Sequence, residues 1–586
     1  METNELDYIK KESDQFIKQN KSRFDIITEF LRLLNNISKE NFAEIIEFVQ
    51  DHKNIFFNDH SSAIFFFLNI IRFSKFIFKR FELILDVGLH FSKEIRNNNT
   101  TELELLKICM YFPNSINYLF LNNFFSIESI IEFSTQLPIF FIKFYPEIEQ
   151  YDPEYSKLRE KNIFSEEKNP NNEQRISLFN FVKENPEKHV FYRNLNYHPS
   201  PLHKAIREDD IDTFQSLLSQ NNFCINHQIE FSFYERAKTM DKDLSLIQIA
   251  AIYGSIKIFK FLWMQEDIII NNNLLNYAYS GYNFEIIHLC EVKCSYENIC
   301  IQSIFLHRND LVDYYIENYG NEIHEKNENV LNKLPNFFVE IDDNENLYSK
   351  LSYNYLKMAV FAYNYKIIIP CFQKIVLITR FIENIEDFEN SNFPSFLKCC
   401  EFDLNFFEFI FNQRKIDVDV FKCGCYYSAL GHCLENSAND AFKFLFFALK
   451  KKLNLIFLLE SCIEKNHDLA FFILDLQTKD DHVFKEISKK IKIRHLLLAL
   501  NYYNEDIVVK LIESFKFFGK KRNIVNFIKT LTRSISIKMI ISLFSKIFSS
   551  LSNDVLYQMT VVFKDLGFQA VSDFITNKND KIDGCD

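Results

Sequence analysis

The chain has 586 residues, 47 % of them apolar and 25 % charged, with a formal net charge of −12. That length exceeds the roughly 250–300 residues at which a single hydrophobic core stops growing, so the chain folds as several domains or as an open array, and its composition excludes the disordered class. The negative balance repels nucleic acid and anionic lipid in bulk.

Only 9 Gly and 11 Pro are present, too few for the regularly spaced turns of a sandwich or barrel. They favour helices joined by Asn- and Asp-bearing turns. Codon bias accounts for the excess of Phe, Asn, Ile, Lys and Tyr as well as any adaptive cause does, and no function is drawn from it. Thirteen cysteines, an odd number scattered over the chain, read as reduced thiols rather than a disulfide framework, so a cytoplasmic location is expected. The compact basic cluster Lys520, Lys521 and Arg522 reads as a solvated turn in preference to a nuclear address.

From its start (METNELDYIKKESDQ) the chain shows no apolar signal core. Residues 1–150 carry helical stripes at Ile26, Ile27, Phe30, Leu31 and Leu34, then from Ile64 to Phe78, then from Leu103 to Tyr111. They are read as an N-terminal helical domain, with degenerate repeats capping an array as one version of that reading. The greasiest stretch, Ala63 to Phe78, is broken by Asn69, Arg72 and Lys75 and is shorter than the ~20 residues of a membrane helix. Residues 151–197 are read as a charged linker and junction, because Asp152 to Gln174 combines charge with Pro153, Pro170 and an Asn-rich run.

A repeat begins at Ser200. Ser200 is placed to cap a helix, Pro201 falls where no N–H is missed, and Ala205 is small enough for a second helix to approach. Asp210 then caps a second helix striped by Ile211, Phe214, Leu217 and Leu218. The unit returns with Ala250, Gly254, Ser255, Ile256, Phe259, Leu262 and Trp263, and again with Ala278, Gly281, Asn283, Phe284 and Ile287. A fourth copy holds Asp310, Leu311, Tyr314 and Ile316. The cap-and-stripe pattern recurs at Asn364, Asp403, Asp440, Asp468 and Asp506. Successive caps lie 27 to 54 residues apart, scattered around a period of about 33.

Pro201-Leu202-His203 with Ala205 resembles the Thr-Pro-Leu-His-x-Ala signature of ankyrin repeats, and Gly254 with Ile258, Phe259, Phe261 and Leu262 resembles its second half. The structural repeat motif is therefore Pro201, Leu202, His203, Ala205, Ala250 and Gly254. The junction around Tyr145-Pro146-Glu147 and Asn194 to Ser200 is also similar to a large protist family in which a helical domain of unknown function precedes ankyrin repeats. The resemblance implies an all-α, ankyrin-type solenoid over 198–545, irregular after about residue 320, closed by a C-terminal helical cap and polar tail over 546–586. It also implies that His203 ties neighbouring repeats together rather than working as a catalyst.

Phosphate loops, nucleophile elbows, His-Glu-x-x-His helices and kinase motifs are absent from the sequence. Two Cys/His clusters, His288, Cys290, Cys294, Cys300 and His307, then Cys423, Cys425, His432 and Cys433, lack the paired arms that zinc takes and are read as thiols without metal. Trp263 is read as a core residue rather than a ligand platform. The expected function is a non-catalytic scaffold that binds an unknown protein on a concave groove, without metal, cofactor, nucleic acid, membrane or small-molecule substrate. The alternative is an adaptor that recruits substrates to another enzyme. Insertions near 224–243 and 318–352 are expected to border the groove, as are His198, Ser200 and Asn271 to Asn273.

Overall fold

In the computed structural model the chain is described apart from 166–171, 196–198, 235–242, 294–302, 319–352, 377–402, 414–429, 450–454, 476–490 and shorter breaks elsewhere. It is predominantly helical. Two compact units form, each from two stretches of sequence: Met1–Phe124 with Tyr192–Cys425, and Phe125–Phe191 with Tyr426–Asp586.

The first unit opens with α1 (Glu2–Asn35), whose buried stripe runs from Ile9 through Phe16, Phe24 and Ile27 to Leu34. There follow α2 (Phe42–Asp51), α3 (Lys53–Phe56), α4 (His60–Phe76), α5 (Phe81–His90), α6 (Ser92–Asn97), α7 (Glu102–Cys109) and α8 (Pro113–Leu121). Helix α4 is the centre of this segment and packs against α1, α5, α7 and α8. Every residue from Ala63 to Ser74 is buried, as a helix that is apolar on all sides requires. Two of its polar residues bond locally, Asn69 Nδ2 donating to the Phe65 carbonyl (2.8 Å) and Ser74 Oγ to that of Ile71 (2.8 Å), while the Arg72 guanidinium lies 5.5 Å from the centre of the Tyr363 ring. Among the described residues no helix is long and apolar enough to cross a membrane.

The first stretch of the second unit holds α9 (Ile127–Gln136), α10 (Pro138–Lys143), α11 (Tyr145–Tyr151), α12 (Pro153–Ser165), α13 (Asn172–Glu184) and α14 (Pro186–Leu195, whose last residues belong to the first unit). Pro153 opens a helix here instead of breaking one. Asp152 caps it by accepting from the Tyr155 N–H (3.0 Å), and Tyr155 is wholly buried. Residues 153–165 are thus helical, with α12 packed against α11.

Helix pairs then follow in the first unit: α15 (Pro201–Glu208) with α16 (Ile211–Gln220), α17 (Leu246–Tyr253) with α18 (Ile256–Trp263), and α19 (Leu274–Gly281) with α20 (Phe284–Glu291). First helices pack on first helices and second on second, giving two layers. Phe214, Phe259, Leu262, Ile286 and Ile287 fill the space between them. Ile211, Leu217 and Ile256 of the expected stripes are only half-buried, and Ile258 joins the core instead. Between α16 and α17 the chain makes a feature that helical periodicity does not announce. Gln228 pairs with Ser245 and Ile229 with Leu244 in a short antiparallel ladder.

A left-handed residue ends the first helix of each pair: Asp209 (φ 53°), Gly254 (φ 62°) and Tyr282 (φ 51°), and further on His307 (φ 54°) and Tyr363 (φ 56°). The next N–H then reaches five residues back, from Asp210 to the Ala205 carbonyl (3.0 Å), Ser255 to Ala250 (2.9 Å), Arg308 to Ser303 (2.9 Å) and Asn364 to Ala359 (2.9 Å). Each acceptor is a small buried residue, which lets the second helix lie close. Helix 309–318 and helices Tyr353–Ala362, Tyr365–Ile368 and Leu404–Gln413 continue the first unit.

Adjacent pairs are also bonded to one another. Ser255 Oγ donates to the Ile206 carbonyl (2.5 Å), while the Asp209 carboxylate accepts from the Lys257 and Ile258 N–H groups (both 3.1 Å). Asn283 Nδ2 donates to the Gly254 carbonyl (3.3 Å), and Asn364 Nδ2 to that of Ile304 (3.0 Å).

Several expected caps move. Asp210, Asn283 and Asp403 do cap their helices, accepting from the N–H groups of Thr213, Glu285 and Phe406. Ser200 has the extended cap backbone but makes no side-chain cap bond. Asp310 lies inside helix 309–318, after the turn at His307. Asp440 lies inside Asn439–Leu449, Asp468 inside His467–Asp475 and Asp506 inside Glu505–Ser514. Asn466 is the cap before Asp468, accepting from the Leu469 N–H (3.2 Å). The misreading has a physical cause, since a carboxylate in the first helical turn is stabilised by the same free N–H groups and dipole that favour one at the cap.

The second stretch of the second unit ends in four helix pairs: Leu455–Lys465 with His467–Asp475, Ile493–Asn501 with Glu505–Ser514, Lys521–Ser534 with Ile537–Ile547, and Asn553–Asp565 with Gln569–Asp583. These too stack first on first and second on second.

Candidate functional site

The residues of the sequence motif build the joint between α15 and α17. Pro201 occupies the first turn of α15, Leu202 and Ala205 are buried beside it, and Ala250 is buried in α17. The buried His203 ring meets the Tyr253 ring edge-on, with centroids 5.3 Å apart, and so links two first helices. Gly254 supplies the left-handed turn.

Helix α17 departs from the open groove expected of first helices. All eight of its residues are buried, in keeping with a sequence in which only Gln248 is polar, and Gln248 accepts from the Ser245 N–H through Oε1 (2.9 Å). The 230–243 insertion is likewise engaged where it is described: Tyr234 is buried, its carbonyl accepts from Asn114 Nδ2 (3.2 Å), and its ring meets Tyr192 edge-on. His198, Asn272 and the 319–352 insertion lie outside the described residues.

Exposed apolar side chains mark the edge where second helices end and loops turn back. Met264 ends α18 at 72 % exposure and Val292 ends α20 at 83 %, and in the intervening loop Ile269 is 68 % exposed. The loop is preformed, since Asn226 clamps it from the preceding connection. Its Nδ2 donates to the Asp267 carbonyl (2.7 Å) and its Oδ1 accepts from the Ile269 N–H (2.9 Å). Asn271 and Asn273 are exposed just beyond. Trp263 is half-buried rather than core; it stacks on Phe259 at 5.5 Å, and the Lys293 ammonium lies 4.5 Å from its ring centre. Apolar side chains held out on a fixed loop, flanked by amides, are suited to a protein partner. Sequence reasoning named Asn271 and Asn273 for this edge and did not single out Met264, Ile269 or Val292, because an exposed apolar residue looks like any other without the fold.

The Cys/His clusters do not converge where they are described. His288 bonds Glu291 Oε2 (2.9 Å) on the outside of α20, Cys290 is buried on the other side, and His307 Nε2 donates to the Ala362 carbonyl (2.9 Å). Cys294, Cys300, Cys423, Cys425 and His432 lie outside the described residues. Among the described residues no three His, Cys, Asp or Glu side chains gather as metal ligands would. Burial pushes the Cys109 thiol up and His307 down to about 4, the latter with help from nearby Arg72.

No family model matches the chain, and neither curated proteins nor solved structures give a match.

Proposed function

We propose that this chain is an ankyrin-type repeat scaffold that binds another protein, without catalysis, along the exposed loop edge of α18 to α20. The observation that carries the reading is the turn grammar of the pairs. A small buried residue, a left-handed residue and a cap follow one another at Ala205-Asp209-Asp210, Ala250-Gly254-Ser255 and Ala359-Tyr363-Asn364, and side chains at these turns bond the neighbouring pair. In such a stack each pair buries its apolar faces only against its neighbours, which leaves one edge to be spent on recognition. The clamp of Asn226 on the Asp267 to Ile269 loop lowers the ordering cost of docking there. A reducing, cytoplasmic setting accords with the thiols of Cys109 and Cys224, which stand outside any disulfide.

The test is affinity purification of the full chain beside Met264→Asp, Ile269→Asp and Val292→Asp variants. The reading requires a partner that the wild type retains and the variants lose without a change in melting. Variants that all retain every partner, while substitutions within residues 1–150 release one without unfolding, put the binding surface elsewhere.

A further inference from the structure

Helix α1 makes two kinds of contact along its length. Its last third is rooted among the N-terminal helices, where the Phe30 ring lies 4.8 Å from Phe56 and 5.2 Å from Phe66. Its stretch from Phe16 to Phe24 reaches residues far along the chain. The Phe16 ring stacks on Phe372 at 5.3 Å and tilts against Phe409 at 4.3 Å, and Phe24 stacks on Tyr365 at 4.4 Å. Between these rings, Arg23 Nη1 donates to both carboxylate oxygens of Asp403, at 3.0 and 2.9 Å.

Asp403 is wholly buried and serves three partners at once. It accepts from Arg23, from the Tyr365 hydroxyl and from the Phe406 N–H (3.3 Å), the last being the cap of the Leu404–Gln413 helix. Burial, then the neighbouring Asp403, hold the Tyr365 phenol well above its ordinary pKa, so it stays a donor. Burial alone would lower the Arg23 guanidinium, but Asp403 and Tyr365 together hold it above its usual value.

Aromatic contacts alone permit α1 to slide or roll, whereas a buried carboxylate with one matched cation is satisfied in one register only. Removing the cation leaves a charge buried without compensation at the very residue that starts a helix. We propose that α1 is a clasp: its docking through Arg23 completes the cap of the Leu404–Gln413 helix, and its release loosens that helix and uncovers the Phe372, Phe406 and Phe409 rings. The clasp is independent of the binding reading above.

Amide hydrogen exchange of the full chain tests it with three single variants and one double variant. Arg23→Met keeps the apolar stem and is expected to speed exchange at Phe406 and Phe407 by about tenfold while leaving Phe259 and Leu262 in α18 within about twofold. Asp403→Asn keeps a good cap but not the charge, and is expected to match it, with the double variant no faster than either. Arg23→Lys, which retains charge without the planar fork, covers the case that Arg23→Met fails to fold, and is expected to give a smaller rise confined to the same amides. Unchanged exchange at Phe406 and Phe407 in Arg23→Met and Arg23→Lys, or an equal rise in α18, overturns the proposal.

Discussion

Gly254 and Gly281 lie back to back across two neighbouring pairs, and neither has room for a side chain. A methyl on Gly281 would stand 1.9 Å from the Ala251 carbonyl oxygen, and one on Gly254 would stand 2.8 Å from that of Gly281. The sequence pattern carries one in each of two successive copies of the unit. Only the stack shows that one requires space and the other requires space and a left-handed backbone.

Gly281→Ala is therefore expected to be the more damaging of the two, since backbone must move to admit it, at a cost of about 3 kcal/mol or more. Gly254→Ala carries the left-handed penalty of roughly 1–2 kcal/mol with a milder clash. Urea midpoints rank them, and a Gly281→Ala protein as stable as wild type would mean that α17 and α19 do not approach as described.

Ala250→Phe and Ala205→Phe place a ring where first and second helices meet, beneath the carbonyls that close the turns at Ser255 and Asp210. Overpacking is expected to cost about 1–3 kcal/mol or more at each site. Thermal melts of both variants indistinguishable from wild type would show the pairs to be misassigned.

Interior and edge substitutions are expected to separate. Phe214→Ala, Phe259→Ala and Leu262→Ala should each lose about 2–5 kcal/mol of stability and weaken partner binding only through unfolding. Ile269→Asp and Asn273→Asp should shift stability by no more than about 0.5 kcal/mol and reduce binding directly. Pairing melting with retention of a purified partner distinguishes the two classes.

His307 makes the first unit sensitive to acid. Its pKa falls from 6.5 to about 4 on folding, because burial disfavours the imidazolium and Arg72 repels it. The unfolded chain thus takes up a proton that the folded chain refuses. The stability contribution is complete above pH 6.5, is lost as pH falls from 6.5 towards about 4, and declines no further below that. His307→Gln, whose amide can still donate to the Ala362 carbonyl, should flatten this part of the acid slope. Identical slopes for the two proteins between pH 7 and 4.5 would refute the assignment.

The fold is expected to be independent of metal. Melting with and without a strong chelator should coincide, and a large loss of stability on chelation would reveal a site built from the cysteines outside the described residues.

The helices of this chain and their apolar stripes are written locally, by spacing of Phe, Leu and Ile against polar residues, by Pro201 at a helix start and by Asp210 and Asn283 at caps. Such signals act within a turn or two of chain, so they are legible without a fold. The left-handed turns at Tyr282, His307 and Tyr363 are not, since nothing local marks these residues for that conformation. Tyr282 is instead held by tertiary partners, with its hydroxyl donating to Asp310 (2.6 Å) and the Arg308 guanidinium 3.5 Å from its ring centre. The twelve consecutive buried residues of α4 read only as a greasy stretch until neighbours cover every face. Arg23 and Asp403 stand 380 positions apart, each an ordinary surface charge or cap by local rules. Their pairing is decided by where α1 comes to rest, a matter of long-range packing that no periodicity encodes.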